Sequence, residues 1–431
     1  SSKGCYPRGS LCKAGNGLLY GLTYSGGENS SGVLFEYDPV NDVYTKKFEF
    51  ASDEFGKYPH GYYPRGSLYE GTNGKLYGMT SYGGVNGLGV LFEYVPGATT
   101  VTKKVDFDGN NGSRPQYGEL TGSGVALVWN GAQSSDWSAA GNWTPEFSPT
   151  RLDVVEIASG ANNPVINEPA GSPAECNSLE IAAGGSLTIA SGKALTVPML
   201  VNDAGNTGLI IESDATGTGS LIHNSAGIGA TVKSYVDGSA TLTDNKYHFA
   251  SIPTQYENPT ANLFLGSYLF KLDPSQRDPD NNNYYGKWVG LGSSPTTPLS
   301  TDQGYMIYYP GDNHTYAFEG NLNNGGFSVL LTGHASTNTF NLVPNPYPSS
   351  LNWQVPFGWT KTGIENKTWI YNNGVYASYT GGDTPDSTNG GSRFIAPGQA
   401  FTVNATEASP ALAMDNRVRV HYAGTLLKSA E

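Results

Sequence analysis

The residues with most chemical potential in this chain are oxygen donors and aromatic rings, and they sit side by side. The string "DPSQRDPDNNNYYGKW" brings Asp273, Asp278, Asp280 and Asn282 into one short stretch. Calcium takes six to eight hard oxygen ligands, and closely spaced carboxylates and amides can supply several from one loop. The stretch is therefore a candidate Ca2+ site, although it lacks the EF-hand spacing and its terminal Glu; the plainer reading is a solvated hairpin loop. Directly after it come Tyr284, Tyr285 and Trp288, and the string "TWIYNNGVYASY" carries Trp369, Tyr371, Tyr376 and Tyr379. Such rings stack on the apolar faces of sugars while their polar edges bond hydroxyls, so exposed members of the set would form a glycan platform. Half of any alternating set faces a core, and packing is the competing account of each ring.

Catalytic chemistry is thinly represented. No G-x-S-x-G elbow stands before a helix, and the six His residues are scattered, without an H-E-x-x-H motif. Carboxylate pairs for glycoside hydrolysis must face each other across a cleft, which sequence separation does not show. His60 with Tyr62, Tyr63 and Arg65 is a set that a polysaccharide lyase could use. Arg8 and Arg65, at equivalent places in two repeats, are a second polar set, suited to an acidic ligand or to repeated structural contacts. The expectation is a non-catalytic protein that binds or adheres to polysaccharide, with a structural, self-assembling component as the alternative and a polysaccharide lyase or glycoside hydrolase as the next.

The elements that would hold these residues are β-strands. The chain has 431 residues, enough for several domains. Charged residues make up only 14%, against 57 Gly, 28 Tyr and 26 Pro, which suits turn-rich β-structure rather than helical bundles. The net charge is −13, unevenly spread: residues 1–124 carry 11 Lys and Arg against 12 Asp and Glu, the remainder 13 against 25. That acidity argues against a nucleic-acid partner, which needs clustered cations. No 18-residue apolar run stands ready to span a bilayer; the charge balance suits a soluble extracellular protein, secreted or at the outer surface, and export would mean that a leader has been removed ahead of Ser1. Cys5, Cys12 and Cys176 show no metal spacing; a Cys5–Cys12 disulfide is one expectation.

The first part repeats. Tyr6 to Tyr63, Tyr20 to Tyr77, Tyr37 to Tyr94 and Lys47 to Lys104 are all separated by 57 residues, and a stub of a third copy, "VDFDGNNGSRPQYGEL", follows. Each copy has about four short β-prone pieces between Asn-Gly, Gly-Gly and Asp-Pro turns, the description of a propeller blade. The phrase "NGLLYGLTYSGG…GVLFEYDP" resembles the GloVer-type tandem repeat of bacterial surface proteins, which implies a propeller-like arrangement over 1–124. Two blades and a stub leave sheet edges open to self-association.

From Val125 the pattern changes. "VWNGAQSSDWSAAGNW" clusters Trp129, Trp137 and Trp143, and apolar residues then alternate in short strands advancing by about eight residues through "NSLEIAAGGSLTIASGKALTV". A small β-solenoid or sandwich over 125–230, capped by the tryptophans, is expected; it resembles solenoid-like modules of secreted Bacteroidota proteins. In 231–431, "NLVPNPYPSSLNW" and "APGQAFTV" resemble the β-sandwich region that precedes the sorting domain of type IX secretion substrates. A sorting domain would follow it, which makes Glu431 an expected processing point. The expected fold is all-β throughout.

Overall fold

The computed structural model describes residues 2–422 apart from 72–73, 117–119, 121–123, 161, 170, 242–243, 245, 279–283, 293, 336 and 373. The described residues form strands, turns and short 3-10 segments, with no α-helix among them. They divide into two compact units, 1–123 and 124–431.

In the first unit each 57-residue copy folds into one antiparallel sheet. The first runs in the order Cys5–Pro7, Leu19–Ser25, Val33–Asp38, Val43–Glu49, and the second in the order Tyr62–Pro64, Leu76–Tyr82, Val90–Tyr94, Val101–Asp106. Equivalent residues make equivalent contacts. The Tyr20 hydroxyl donates to Glu36 at 2.7 Å and the Tyr77 hydroxyl to Glu93 at 2.9 Å; Lys47 and Lys104 pair with those same carboxylates, each at 3.6 Å. The copies bury one shared core, with Tyr20, Leu22 and Leu34 of the first against Leu76, Phe92 and Tyr94 of the second. A single antiparallel sheet exposes two faces, and stacking covers one on each copy.

Each copy is entered through a residue in left-handed conformation before a proline. Tyr6, Tyr63 and Arg114 have φ of 56°, 57° and 44°, and Pro7, Pro64 and Pro115 follow. The Tyr63 N–H donates to Ser31 O at 3.0 Å, and the Arg114 N–H to Leu88 O at 2.7 Å. The Arg114–Pro115 step thus repeats, against Leu88, the backbone contact that Tyr63–Pro64 makes against Ser31; residues 117–119 of the stub lie outside the described residues.

The expected Cys5–Cys12 disulfide is not formed. Cys5 pairs with Ser25 and Cys12 with Tyr20 on one strand, five positions or about 16 Å apart along it, whereas a disulfide needs Cα atoms within roughly 7 Å. None of the three cysteines is joined in a disulfide.

The second unit begins as a β-solenoid of three coils. Val154–Ile157, Ser178–Ile181 and Met199–Asn202 stack in parallel on one face; Val165–Ile166, Leu187–Ile189 and Leu209–Ile211 on the second; Ala174–Glu175, Ala194–Val197 and Ser220–His223 on the third. The eight-residue advance is one strand with its turn, and three advances close a coil. Leu187, Ile189, Leu195, Val197, Leu209, Ile211 and Leu221 point inward with no exposed surface, and each such burial contributes roughly 1.5–3 kcal/mol. The three tryptophans cap the first coil: Trp143 meets Trp129 and Trp137 edge-on, each at 4.9 Å. The Trp143–Thr144 strand pairs antiparallel with Ala126–Trp129, which ends the parallel stack.

The division at 230/231 read from the sequence falls inside one strand. Gly229–Val236 stacks in parallel on the solenoid and pairs on its other edge, antiparallel, with His314–Leu322 of the next module. That module is built on a nine-stranded sheet in the order His248–Ala250, Tyr305–Tyr308, Tyr268–Arg277, Tyr284–Gly290, Asn338–Pro344, Ala400–Ala405, Lys367–Asn372, Val375–Thr380, Asp386–Thr388. One face packs on two three-stranded sheets over a core that includes Trp353, Ile370, Phe401, Val403 and Leu412, which makes the sandwich. The other face rolls on itself. Ala250 of the first strand bridges Gln399 beside the sixth, and Ser251 N–H donates to Gly398 O at 2.9 Å.

Candidate functional site

Rolling converts the sheet's second face into a cleft. In Tyr284–Gly290 the alternation sends Tyr284, Gly286 and Trp288 to this face, with Trp288 opposite Leu272. From Lys367–Asn372 comes Trp369, opposite Thr402, and from Val375–Thr380 comes Tyr376. These residues, with Phe340 and Asp278, line a cleft of about 230 Å³. Phe249, Leu272, Leu342 and Ala400 are buried beneath it.

The rings are held by one another. Phe340 meets Tyr284 edge-on at 5.2 Å and Trp369 at 5.5 Å, and Phe249 lies 5.6 Å from Trp288. Gly286, with φ of 127°, sits where a Cβ would press on Phe340, so glycine lets the two strands approach at this point. Tyr376 leaves 43% of its surface exposed; desolvation pushes its phenol above the ordinary value, and the hydrogen bond from Trp288 opposes the shift. The result is a concave aromatic wall with a carboxylate, Asp278, at its margin. Stacking, indole and phenol hydrogen bonding and one acidic contact are what it offers a ligand.

Four of the seven aromatic candidates converge here: Tyr284, Trp288, Trp369 and Tyr376. Tyr371 lies beside them, 5.3 Å from Tyr376, and lines a smaller neighbouring hollow with Phe249 and His248. Tyr285 takes the opposite parity, stacked at 3.6 Å on His334 with Arg277 over its ring. Tyr379 also points away and is 8% exposed in the sandwich core, bonded to Gln354. Phe340, Leu272, Gly286 and Thr402 were not singled out from the sequence; the alternation in "NTFNLVP" is the signal that points to Phe340.

Of the proposed calcium ligands, Asp273 lies within the strand Tyr268–Arg277, its carboxylate accepting from Ser275 and Gln276. Asp278 borders the cleft, and Asp280 and Asn282 lie outside the described residues. Among the described residues no group of three or more His, Cys, Asp or Glu is arranged to hold a metal. In the first unit, Arg8 and Arg65 both lie over the Tyr24 ring at 4.7 Å, while His60 packs edge-on against Phe48. No described helix is long and apolar enough to cross a membrane. A larger depression of about 660 Å³ is lined by Phe264, Leu265, Tyr268, Phe270 and Pro295 and, among the described residues, by no charged side chain; it lacks the carboxylate that marks the smaller cleft.

Residues 128–429 match the model of a family described as a domain of unknown function (DUF8693). The chain belongs to this family. The DUF8693 match runs through both solenoid and rolled sheet, in keeping with the strand they share. Residues 1–135 match the Gloeobacter/Verrucomicrobia repeat, so the two tandem sheets are copies of that repeat. No curated protein and no solved structure matches the chain.

Proposed function

We propose that the rolled-sheet cleft binds a polysaccharide without catalysis, on a chain exported to the outer cell surface. The observation that carries this reading is the convergence of Tyr284, Trp288, Trp369 and Tyr376 from three strands onto one 230 Å³ cleft. Aromatic walls with a few polar groups are the usual means of holding a ring that has apolar faces and a polar rim. Asp278 adds an acceptor for ring hydroxyls. The resemblance of 231–431 to the region before type IX sorting domains supports export, in a Bacteroidota-type cell, as part of the same proposal.

A panel of immobilised polysaccharides, probed with the purified chain and with its Trp288→Ala variant, tests the reading. Saturable binding to one glycan class, lost in the variant, is the expected result. Silence across the panel, or binding that survives the substitution, rules the cleft out.

A further inference from the structure

Equivalent positions in the two repeats differ sharply in exposure, and the difference is ordered. Leu68, Leu76, Phe92 and Tyr94 of the second copy are buried against the first. Their counterparts 57 residues earlier are Leu11, Leu19, Phe35 and Tyr37. Leu11 is 53% exposed where Leu68 is 6%, and Leu19, Phe35 and Tyr37 are half-buried. The opposite face shows the reverse. Tyr20, Leu22 and Leu34 of the first copy are buried, and their counterparts Tyr77, Met79 and Leu91 are half-buried.

The pair therefore presents, on one side, a face of the kind its second copy uses for stacking and, on the other, a face of the kind its first copy uses. We propose that the Leu11, Phe35 and Tyr37 face of one chain docks on the Tyr77, Met79 and Leu91 face of a second copy, continuing between molecules the junction that already exists within one. The contact is head-to-tail, since the two faces differ, and it builds a ring or an open row according to the rotation per step. It goes through faces and not through strand edges. The outer strand of each sheet carries a lysine pair, Lys46–Lys47 and Lys103–Lys104, and lysines on an edge discourage strand addition. This inference does not rest on the glycan reading, which concerns the other unit.

Sedimentation velocity of the whole chain over a wide concentration range tests it. The wild-type chain is expected to associate as concentration rises. Leu11→Glu and Leu91→Glu, each blocking one face, are expected to be monomeric alone, and their mixture to give a 1:1 dimer and nothing larger, because each retains the face the other lost. Leu11, already more than half exposed, tolerates the charge without loss of fold, so L11E is decisive even if L91E unfolds. A wild-type chain monomeric at every concentration overturns the proposal, as does an L11E chain that associates like wild type or a folded variant pair that stays monomeric on mixing.

Discussion

The rings of Phe249 and Tyr376 lie 6.2 Å apart, although their strands are the first and eighth of nine in the sheet. Only a sheet rolled through most of a turn can bring them together, and Phe249, 4% exposed, is a contact that holds the roll closed. Phe249→Ala is expected to cost about 3–5 kcal/mol, the range for removing a buried phenylalanine, read as a lowered urea midpoint. A loss below 1 kcal/mol would mean that the roll is held elsewhere.

The repeats offer an internal comparison. A Cβ at Gly21 would strike the Phe35 ring, and one at Gly78 the Phe92 ring. Phe92 is fully buried and Phe35 is not, so the second ring has nowhere to go. Gly78→Ala should cost about 1–3 kcal/mol as overpacking, and Gly21→Ala clearly less, in thermal unfolding at low protein concentration. Equal losses would contradict the asymmetry of the two faces.

Two desolvated histidines, His223 buried and His421 half-buried, tie stability to pH. His421 bonds Thr196 and Ser220 at 2.9 and 2.8 Å, and Arg419 donates to the carbonyl of buried His223 at 2.7 Å. Burial first, and the Arg419 charge second, push both imidazoles down to about 4. The folded state then binds fewer protons than the unfolded one between pH 4 and 6.5, so this stability is complete above 6.5 and lost as pH falls towards 4. At pH 5 the loss is about 2 kcal/mol per histidine. Urea unfolding at pH 7 and 5 measures it, and replacing both histidines with Gln should flatten that part of the profile.

The thiols give a check that needs no ligand. Cys5 and Cys12 are half-buried, whereas Cys176 is buried and desolvation pushes its thiol up to about 12. Maleimide should label Cys5 and Cys12 in the folded chain and Cys176 only after unfolding. An intact mass two daltons low under non-reducing conditions would contradict the strand register around Leu19–Ser25.

Much of this architecture is legible in the sequence because it is local. The 57-residue offset fixes equivalent strands, and the eight-residue advance from Leu179 to Leu195 marks the faces of a solenoid coil. The cleft is only half legible. "YYGKW" and "TWIYNNGVYASY" hold four of its rings, but alternation does not say which parity faces the cleft, so Tyr285 and Tyr379 look the same as Tyr284 and Tyr376 until the register with neighbouring strands is known. The roll that brings Phe249 over Trp288 is a long-range property with no local signature. Nor does the short spacing of Cys5 and Cys12 reveal that both pair with one strand at separated positions.

Affinity electrophoresis in gels containing the polysaccharide that the wild-type chain binds, comparing Trp288→Ala, Trp369→Ala and Tyr285→Ala, tests glycan binding by the cleft. Truncating an aromatic at the centre of a binding site costs about 2 kcal/mol or more, roughly thirtyfold in affinity. That loss is expected for both tryptophan variants, and wild-type retardation for Tyr285→Ala, whose ring lies on the reverse face. Full retardation of the tryptophan variants would contradict binding by the cleft.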